Sequence, residues 1–477
     1  MPLTPLKAVF LLALHAASTF ASPVPNPKPN PLSIPGSLIP KIDDSITNLL
    51  YNAIPSLPIL RPPLPPIASP PFTSSSLKPK KLGYFWTGAG NIAYADFLAV
   101  YSLDDDTFGT FITLVDVPTS GNEPHHLNVA RDGKTLVGTG LLSLLKLQGI
   151  NPYRPKFLKS GRALLSSIGD EIVAKPEGGF FITHMGSAAG TNLGRLTEWD
   201  AKGNLIGEFP SALDIPGTLN ILKDQFSPHG LAIDFDKNII LTSDFVVPLS
   251  TLKPVSALGI QKAHTLRLWK LSSRTIISTI TIPNGGGIQD VKFIPGNKDS
   301  AAIATAVELG QVWIIYPFKY NADGTQGVAE LLYDLGPKAK SVVAIYTDFS
   351  ANGRFLYLSL TTANHIAVLD LKDLQNPVRL DNPDEKQPVV GVHSLRVTPD
   401  QKNLVALGYF VQQGDIGVLN TPADYKAHYV DILPNGALSF NRSIPFASEF
   451  ANRGGARPHF SVIADLTDPK NPKFNSY

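Results

Sequence analysis

The sequence predicts an all-β fold, a seven-bladed β-propeller whose ring is closed by pairing of N- and C-terminal strands. Three observations predict it. Short β-like runs separated by Asp, Asn and Gly turns fill the chain from residue 82 to residue 477. A strand–turn–strand unit recurs at a spacing of roughly 45–65 residues, near the length of a propeller blade. The last copy of that unit lacks outer strands, while unpartnered strands lie at the other end of the β region.

Composition narrows the possibilities. The chain has 477 residues, 43% hydrophobic and 17% charged, with 38 Gly and 42 Pro. That length fits two or three domains or one large repeat fold, and the recurring unit decides for the repeat fold. The formal net charge is +2 with no long basic run. Nucleic acid and anionic membrane are therefore not expected as partners, and a small-molecule substrate is. There is no cysteine, which excludes disulfides, thiol catalysis, zinc knuckles and iron–sulfur clusters. A transition metal must then be held by His, carboxylate or one of two Met.

Residues 1–21 read as a secretory signal peptide. Lys7 precedes the apolar run "AVFLLALHAASTF", and Thr19 and Ala21 supply the small residues of a cleavage site. The run is short for a membrane span, and no later segment looks transmembrane, so an extracellular location is expected. Asn441, in "NRS", is a glycosylation acceptor compatible with secretion. Residues 22–81 contain "SPVPNPKPNPLSIPG" and "PILRPPLPPIASPPF". Proline fixes φ and cannot donate to a ladder, so this stretch is expected to be an extended, largely disordered lead-in. Its one amphipathic piece is "SITNLLYNAI".

From residue 82 the hairpins follow one another. "FLAVYSLDDDTFGTFITLVDV", "GRLTEWDAKGNLIGEF", "LRLWKLSSRTIISTI", "VWIIYPFKYNADGTQGVAELLY" and "HIAVLDLKDLQNPVRL" each pair two apolar strands about a polar turn. The inner strands are a second set. His125 begins "HHLNVARDGKTLVG", His229 begins "HGLAIDFDKNIILTS" and His393 begins "HSLRVTPDQKNLVALG". Weaker copies begin at Asp170, Gln289 and Ile345. His459 begins "HFSVIADL", for which no downstream partner is expected before the chain ends. Its outer strands would come from "LGYFWTG", "FLAVYSL" and "FGTFITLVDV", which closes the ring and leaves no long open edge.

The starts of inner strands lie near the central channel, so residues far apart in sequence meet there. His125, His229, His393 and His459 share one repeat position, and His126 follows directly. A single histidine at such a place is most simply a hydrogen-bonded linker between blades. Four at one position, out of ten in the chain, point instead to a cation held by imidazoles. A nitrogen cluster without thiolate suits copper, and less specifically zinc, iron or nickel. The proposed ligands are His125, His126, His229, His393 and His459. Asp170 and Glu171 could add a ligand or orient an imidazole. For each, as for Asp290 and Asp348, an ordinary turn or solvated carboxylate is the favoured reading. His184 either reaches the channel or lies along a strand, His264 begins a middle strand, and His365 and His428 read as structural residues of hairpins or surface.

Other motifs carry no chemistry. "NGGGIQD" precedes a β run with no helix after it, so it is a turn and not a phosphate cradle. No G-x-S-x-G elbow and no H-E-x-x-H is present, so hydrolysis through a triad has no support.

The ordered stretches "EPHHLNV", "GRLTEWDAKGNLIGEFP", "LRLWKLSSRTIISTITI", "TDFSANGRFLYLSL", "AVLDLKDLQNPVRL" and "RPHFSVIADL" resemble the selenium-binding protein family, which includes the methanethiol oxidases. The resemblance covers most of the region from residue 82 and marks the chain as similar to a divergent, secreted member. It implies a seven-bladed propeller and copper-dependent oxidation of methanethiol to formaldehyde, hydrogen sulfide and hydrogen peroxide. It implies that His125 and His126 match the family's adjacent pair and His459 its histidine near the C-terminus. The chain departs from the pattern as well. It has no cysteine, which argues against selenium binding through a thiol. The family's second-blade histidine is replaced around Asp170, and His229 and His393 are additions.

Three readings follow. The leading one is a secreted copper-dependent oxidase of a small thiol. The alternatives are a binding scaffold with structural inter-blade histidines and a lactonase-type propeller hydrolase. Converging histidines favour the first, dispersed or apolar groups the second, and converging carboxylates the third.

Overall fold

The computed structural model describes residues 69–140, 144–148, 151–188, 190–210 and 226–475. The expected signal peptide and nearly all of the Pro-rich lead-in lie outside these residues. The architecture is an all-β propeller. In chain order the strands are β1 (Lys81–Ala89), β2 (Phe97–Ser102), β3 (Phe111–Asp116), β4 (Pro124–Val129), β5 (Thr135–Gly140), β6 (Leu144–Gln148) and β7 (Lys156–Gly161). Next come β8 (Ser166–Ala174), β9 (Phe180–Ser187), β10 (Arg195–Trp199), β11 (Leu205–Phe209), β12 (Pro228–Asp234), β13 (Ile239–Asp244), β14 (Thr265–Lys270) and β15 (Thr275–Thr281). They continue with β16 (Ile288–Phe293), β17 (Ala302–Ala306), β18 (Gln311–Tyr320), β19 (Gln326–Asp334), β20 (Thr347–Phe349), β21 (Phe355–Leu360), β22 (His365–Asp370) and β23 (Val378–Arg379). The last are β24 (Leu395–Val397), β25 (Asn403–Leu407), β26 (Lys426–Ile432), β27 (Leu438–Pro445), β28 (Ala456–Asp465) and β29 (Lys473–Phe474).

These strands form six four-stranded sheets, β4–β7, β8–β11, β12–β15, β16–β19, β20–β23 and β24–β27, and one five-stranded sheet ordered β29-β28-β1-β2-β3. Each is an open antiparallel ladder. The first strand of each four-stranded sheet lies innermost, and β28 takes that place in the five-stranded sheet. β4 is buried along its whole length, whereas outermost β7 and β15 largely alternate between exposed and half-buried residues. Inner strands pack on one another around the axis, β28 against β4, β4 against β8, and β8 against β12.

The sheet that joins the two ends of the β region is paired over nine residues, from Lys81↔Asp465 to Ala89↔Ala456. One expectation needs correction here. The strand beginning at His459 does have a downstream partner, because Ala464 and Asp465 pair with Phe474 and Lys473 of β29. A two-residue strand is too short to leave a periodic signal in sequence. The end of the Pro-rich stretch, residues 69–80, forms no strand but packs on β3. Phe72 stacks at 5.3 Å from Phe111, and the Ser75 N–H donates to the Ile112 carbonyl at 2.9 Å.

Between sheets the core is apolar and aromatic. Trp86 is fully buried and its indole N–H donates to the Thr139 carbonyl of the next sheet at 2.7 Å. Gly138 permits this approach, since a Cβ there would lie 3.0 Å from the indole.

Candidate metal centre

Five of the seven inner strands share a local irregularity. In β4 the ladder slips between Pro124 and Leu127, in β8 between Gly169 and Ile172, in β12 between Pro228 and Gly230, and in β16 between Ile288 and Val291. The β1–β28 ladder slips where His459 lies. Adjacent residues of a regular strand face opposite sides, and a bulge suspends that rule. The bulged residues are His125 and His126, Asp170 and Glu171, His229, Gln289 and Asp290, and His459. The bulge is therefore the device that delivers consecutive side chains to the axis.

A hydroxyl on the second strand braces four of these five bulges. The backbone N–H of His126 donates to Thr139 Oγ1 at 3.0 Å, that of Glu171 to Thr183 Oγ1 at 3.1 Å, that of Gly230 to Ser243 Oγ at 3.2 Å, and that of Asp290 to Thr305 Oγ1 at 3.1 Å. Three of these hydroxyls then donate across to the next inner strand. Thr183 reaches the His229 carbonyl, Ser243 the Gln289 carbonyl at 3.1 Å, and Thr305 the Ile345 carbonyl at 3.0 Å. Serine and threonine thus perform much of the inter-blade linking that a structural role for the histidines would require. His459 is a partial exception, since its Nδ1 lies 3.0 Å from the His125 carbonyl.

The structure brings all five sequence-predicted histidines into one buried cluster. Ring centroids are 5.8 Å apart for His125 and His126, 4.5 Å for His125 and His459, 5.5 Å for His126 and His229, and 4.9 Å for His393 and His459. His125 is the most exposed of them, at 7%. His126 is central and stacks on Phe460 at 4.4 Å. His126, Asp170 and His229 have donor atoms that all lie within 4.8 Å of one another. Asp170 Oδ1 is 3.3 Å from His125 Nδ1 and 3.7 Å from His229 Nε2.

Several imidazole nitrogens have no hydrogen-bond partner: His126 Nε2, His229 Nδ1, His459 Nε2, and both nitrogens of His393. An unpaired buried polar atom costs about 1–3 kcal/mol, so a cluster of them has the chemistry of a ligand or ion site. Burial is also the main reason that the His125 imidazolium is disfavoured, with its pKa lowered to about 4. The values of His126, His229, His393 and His459 lie well below the ordinary range, through burial first and mutual repulsion second. Neutral imidazoles are the form that coordinates metal. Burial, with Glu171 beside it, pushes the Asp170 carboxyl well above its usual range.

The expectation of solvated carboxylates is corrected. Asp170 and Asp290 are fully buried, and Glu171 and Asp348 are 3% and 2% exposed. Glu171 Oε2 is 3.2 Å from His126 Nδ1 and accepts the Tyr346 hydroxyl at 2.7 Å. Arg396 donates to the Tyr346 oxygen at 3.2 Å and lies 4.4 Å over the Phe460 ring. Lys292 pairs with Asp290 at 2.8 Å and sits 3.9 Å over the Tyr346 ring. Asp348 accepts the backbone N–H of Val397 at 2.7 Å. Tyr346, Arg396 and Lys292 were invisible as site residues in sequence. Their only signal is that they fall one or three residues past the aligned inner-strand starts.

Among the described residues, the remaining histidines stay outside the cluster. His184 lies along β9 against Thr197 Oγ1 at 3.1 Å, and His264 is exposed just before β14. His365 and His428 are not surface residues. Both are buried, with Nε2 at 2.7 Å from Asp381 and 2.8 Å from Asp424 respectively.

No family model matches the sequence, and no curated protein matches it significantly. Solved structures do share the fold. A hypothetical selenium-binding protein from Sulfolobus tokodaii superposes with a TM-score of 0.62 at 16% identity, over 81% of this chain and 94% of that one. The periplasmic gluconolactonase of Pseudomonas aeruginosa gives 0.53 at 12% identity, over 83% and 99%. A protein from Lactobacillus plantarum gives 0.52 at 15% identity, over 76% and 97%. At these identities the likeness is one of fold.

Proposed function

We propose that this chain is a secreted, copper-dependent oxidase of a small thiol, with each sheet a blade of a seven-bladed ring and the metal at its axis. The observation that carries the reading is the buried set of neutral imidazoles whose nitrogens lack partners. The donor set fits copper in kind, being nitrogen-rich with one carboxylate and no thiolate. His126, Asp170 and His229 would hold the ion, with His125, His393 and His459 beside them. Bound there, copper supplies a Lewis acid for the thiol sulfur and an acceptor for its electrons.

The chain's own residues do the rest. Glu171 and Tyr346 fix the orientation of His126, and Asp170 does so for His125 and His229. Phe460 and Tyr346 wall the cluster and keep water out. The proposed overall reaction consumes methanethiol, dioxygen and one water and yields formaldehyde, hydrogen sulfide and hydrogen peroxide. The name of the Sulfolobus tokodaii structure supports this reading, although a chain without cysteine cannot bind selenium through a thiol.

One second reading has a specific basis. Asp170 sits inside the cluster and a gluconolactonase shares the fold, which favours a cation-assisted lactone hydrolase. Elemental analysis of the untagged secreted protein separates them, beside His125→Ala/His126→Ala and His393→Ala variants. Near-stoichiometric copper, lost in the variants, with peroxide formed from methanethiol, supports the oxidase. Lactone hydrolysis that requires calcium or zinc supports the second reading. Protein that takes up neither copper nor calcium nor zinc when each is added overturns both.

A further inference from the structure

The histidine end of the ring is roofed by two loops from different sheets. One, residues 245–264, leaves β13 beside the start of β12, where Asp244 pairs with Pro228. The other, residues 408–425, leaves β25 where the His393 N–H donates to the Leu407 carbonyl at 2.9 Å. Both loops therefore depart beside site histidines of the neighbouring inner strands. They meet in a short seam. Leu252 and Gly417 form an antiparallel bridge, the Lys253 N–H donates to Ile416 O at 2.8 Å, and the Val418 N–H donates to Thr251 O at 2.9 Å. The Gln413 amide adds a bond to Thr251 Oγ1 at 2.7 Å.

Each loop also carries an aromatic ring onto the cluster. Phe245 lies 5.3 Å from the His229 ring, and Phe410 lies 4.3 Å from His393 and 6.1 Å from His459. The other side of the cluster is closed differently. There the buried Glu171–Tyr346–Arg396 and Asp290–Lys292 contacts fill the axis. Parting those buried charge pairs would leave charge away from water, whereas the seam joins loop backbone whose hydrogen bonds water can replace, so the seam is the side that opens. Its outer face shows Ile416 and Val418, 45% and 42% exposed on either side of Gly417, which suits an apolar solute.

We propose that the Leu252–Gly417 seam is the port through which ligands reach the histidine cluster, and that Phe245 and Phe410 set what passes: small, uncharged molecules. This rests on reading the cluster as a ligand site, but its test needs neither copper nor turnover. Diethyl pyrocarbonate acylates accessible neutral imidazoles, and peptide mass spectrometry resolves His229, His393 and His459 from exposed His264. The chain has no cysteine, so a Leu252→Cys/Gly417→Cys pair gives a single disulfide across the bridge. A Cβ at Gly417 would meet the Gln413 side chain down to its Cβ, so Gln413→Gly accompanies the pair and also serves alone as the background.

In metal-free protein, the oxidised triple variant is expected to label the site histidines about ten-fold more slowly than its reduced form, with His264 unchanged. Phe410→Ala is expected to label them several-fold faster than wild type. Equal site labelling in the oxidised and reduced forms overturns the port. Should the triple variant misfold by circular dichroism, Gln413→Gly alone decides: faster site labelling than wild type supports the port, and an unchanged rate overturns it. Failure to bind copper would sink the oxidase reading and leave this result standing.

Discussion

His126 and Glu171, on neighbouring inner strands, meet with imidazole Nδ1 3.2 Å from carboxylate Oε2, and both side chains are buried. The same carboxylate accepts the Tyr346 hydroxyl. Glu171 therefore ties the central imidazole to the charged layer beside it.

Glu171→Gln keeps the shape and removes the charge. Metal affinity is expected to fall about 10–100-fold, the usual effect of losing an orienting partner. Competition with a chromophoric chelator measures it. Unchanged affinity would mean that Glu171 stabilises the fold without orienting His126.

Acid should unfold the metal-free protein through its imidazoles. The folded value for His125 is about 4, below its unfolded value of about 6.5, so the unfolded chain binds more protons in between. That stability is present above pH 6.5 and lost as pH falls toward 4. Buried carboxylates act oppositely. Asp96 is raised to about 8 by burial, so its contribution is present below about pH 4 and lost as pH rises through 8. Unfolding midpoints from pH 4 to 9 should show the acid slope flattened by His393→Phe and the alkaline slope flattened by Asp96→Asn. Slopes identical to wild type would contradict these assignments.

Thr183→Val removes one hydroxyl and little volume. It leaves the Glu171 N–H and the His229 carbonyl without their shared partner. The expected cost is about 1–3 kcal/mol, seen as a lower denaturation midpoint in urea. A midpoint within error of wild type would show that the hydroxyl does not hold the bulge.

His365→Ala and His428→Ala should separate stability from chemistry. Each breaks a buried pair with Asp381 or Asp424, and the melting temperature is expected to drop. Copper content should stay as in wild type. Copper lost from either variant while it remains folded would move the metal away from the axis.

The inner-strand starts and the strands that meet at the ends of the β region were legible because they are periodic. "HHLNV", "HGLAI" and "HSLRV" repeat one pattern of apolar strand and polar turn, and an unpaired inner strand at His459 demanded partners elsewhere. The shared repeat position of His125, His229, His393 and His459 followed from that alignment. Short β29 was lost because two residues carry no period. The standing of Asp170 and Glu171 was lost for another reason. In sequence a carboxylate pair looks the same in a wet turn and in a dry channel, and only burial distinguishes them.

The sequence by itself determined an all-β propeller, the starts of its inner strands and five histidines aimed at one axis. Tertiary structure decided the rest. It set which nitrogens remain unpaired, that hydroxyls rather than most of the imidazoles link the blades, and that Tyr346, Arg396 and Lys292 close one side while two loops roof the other. The physical reason is that periodicity fixes direction along a chain, whereas charge state, solvent exclusion and access depend on groups from several sheets meeting in one place.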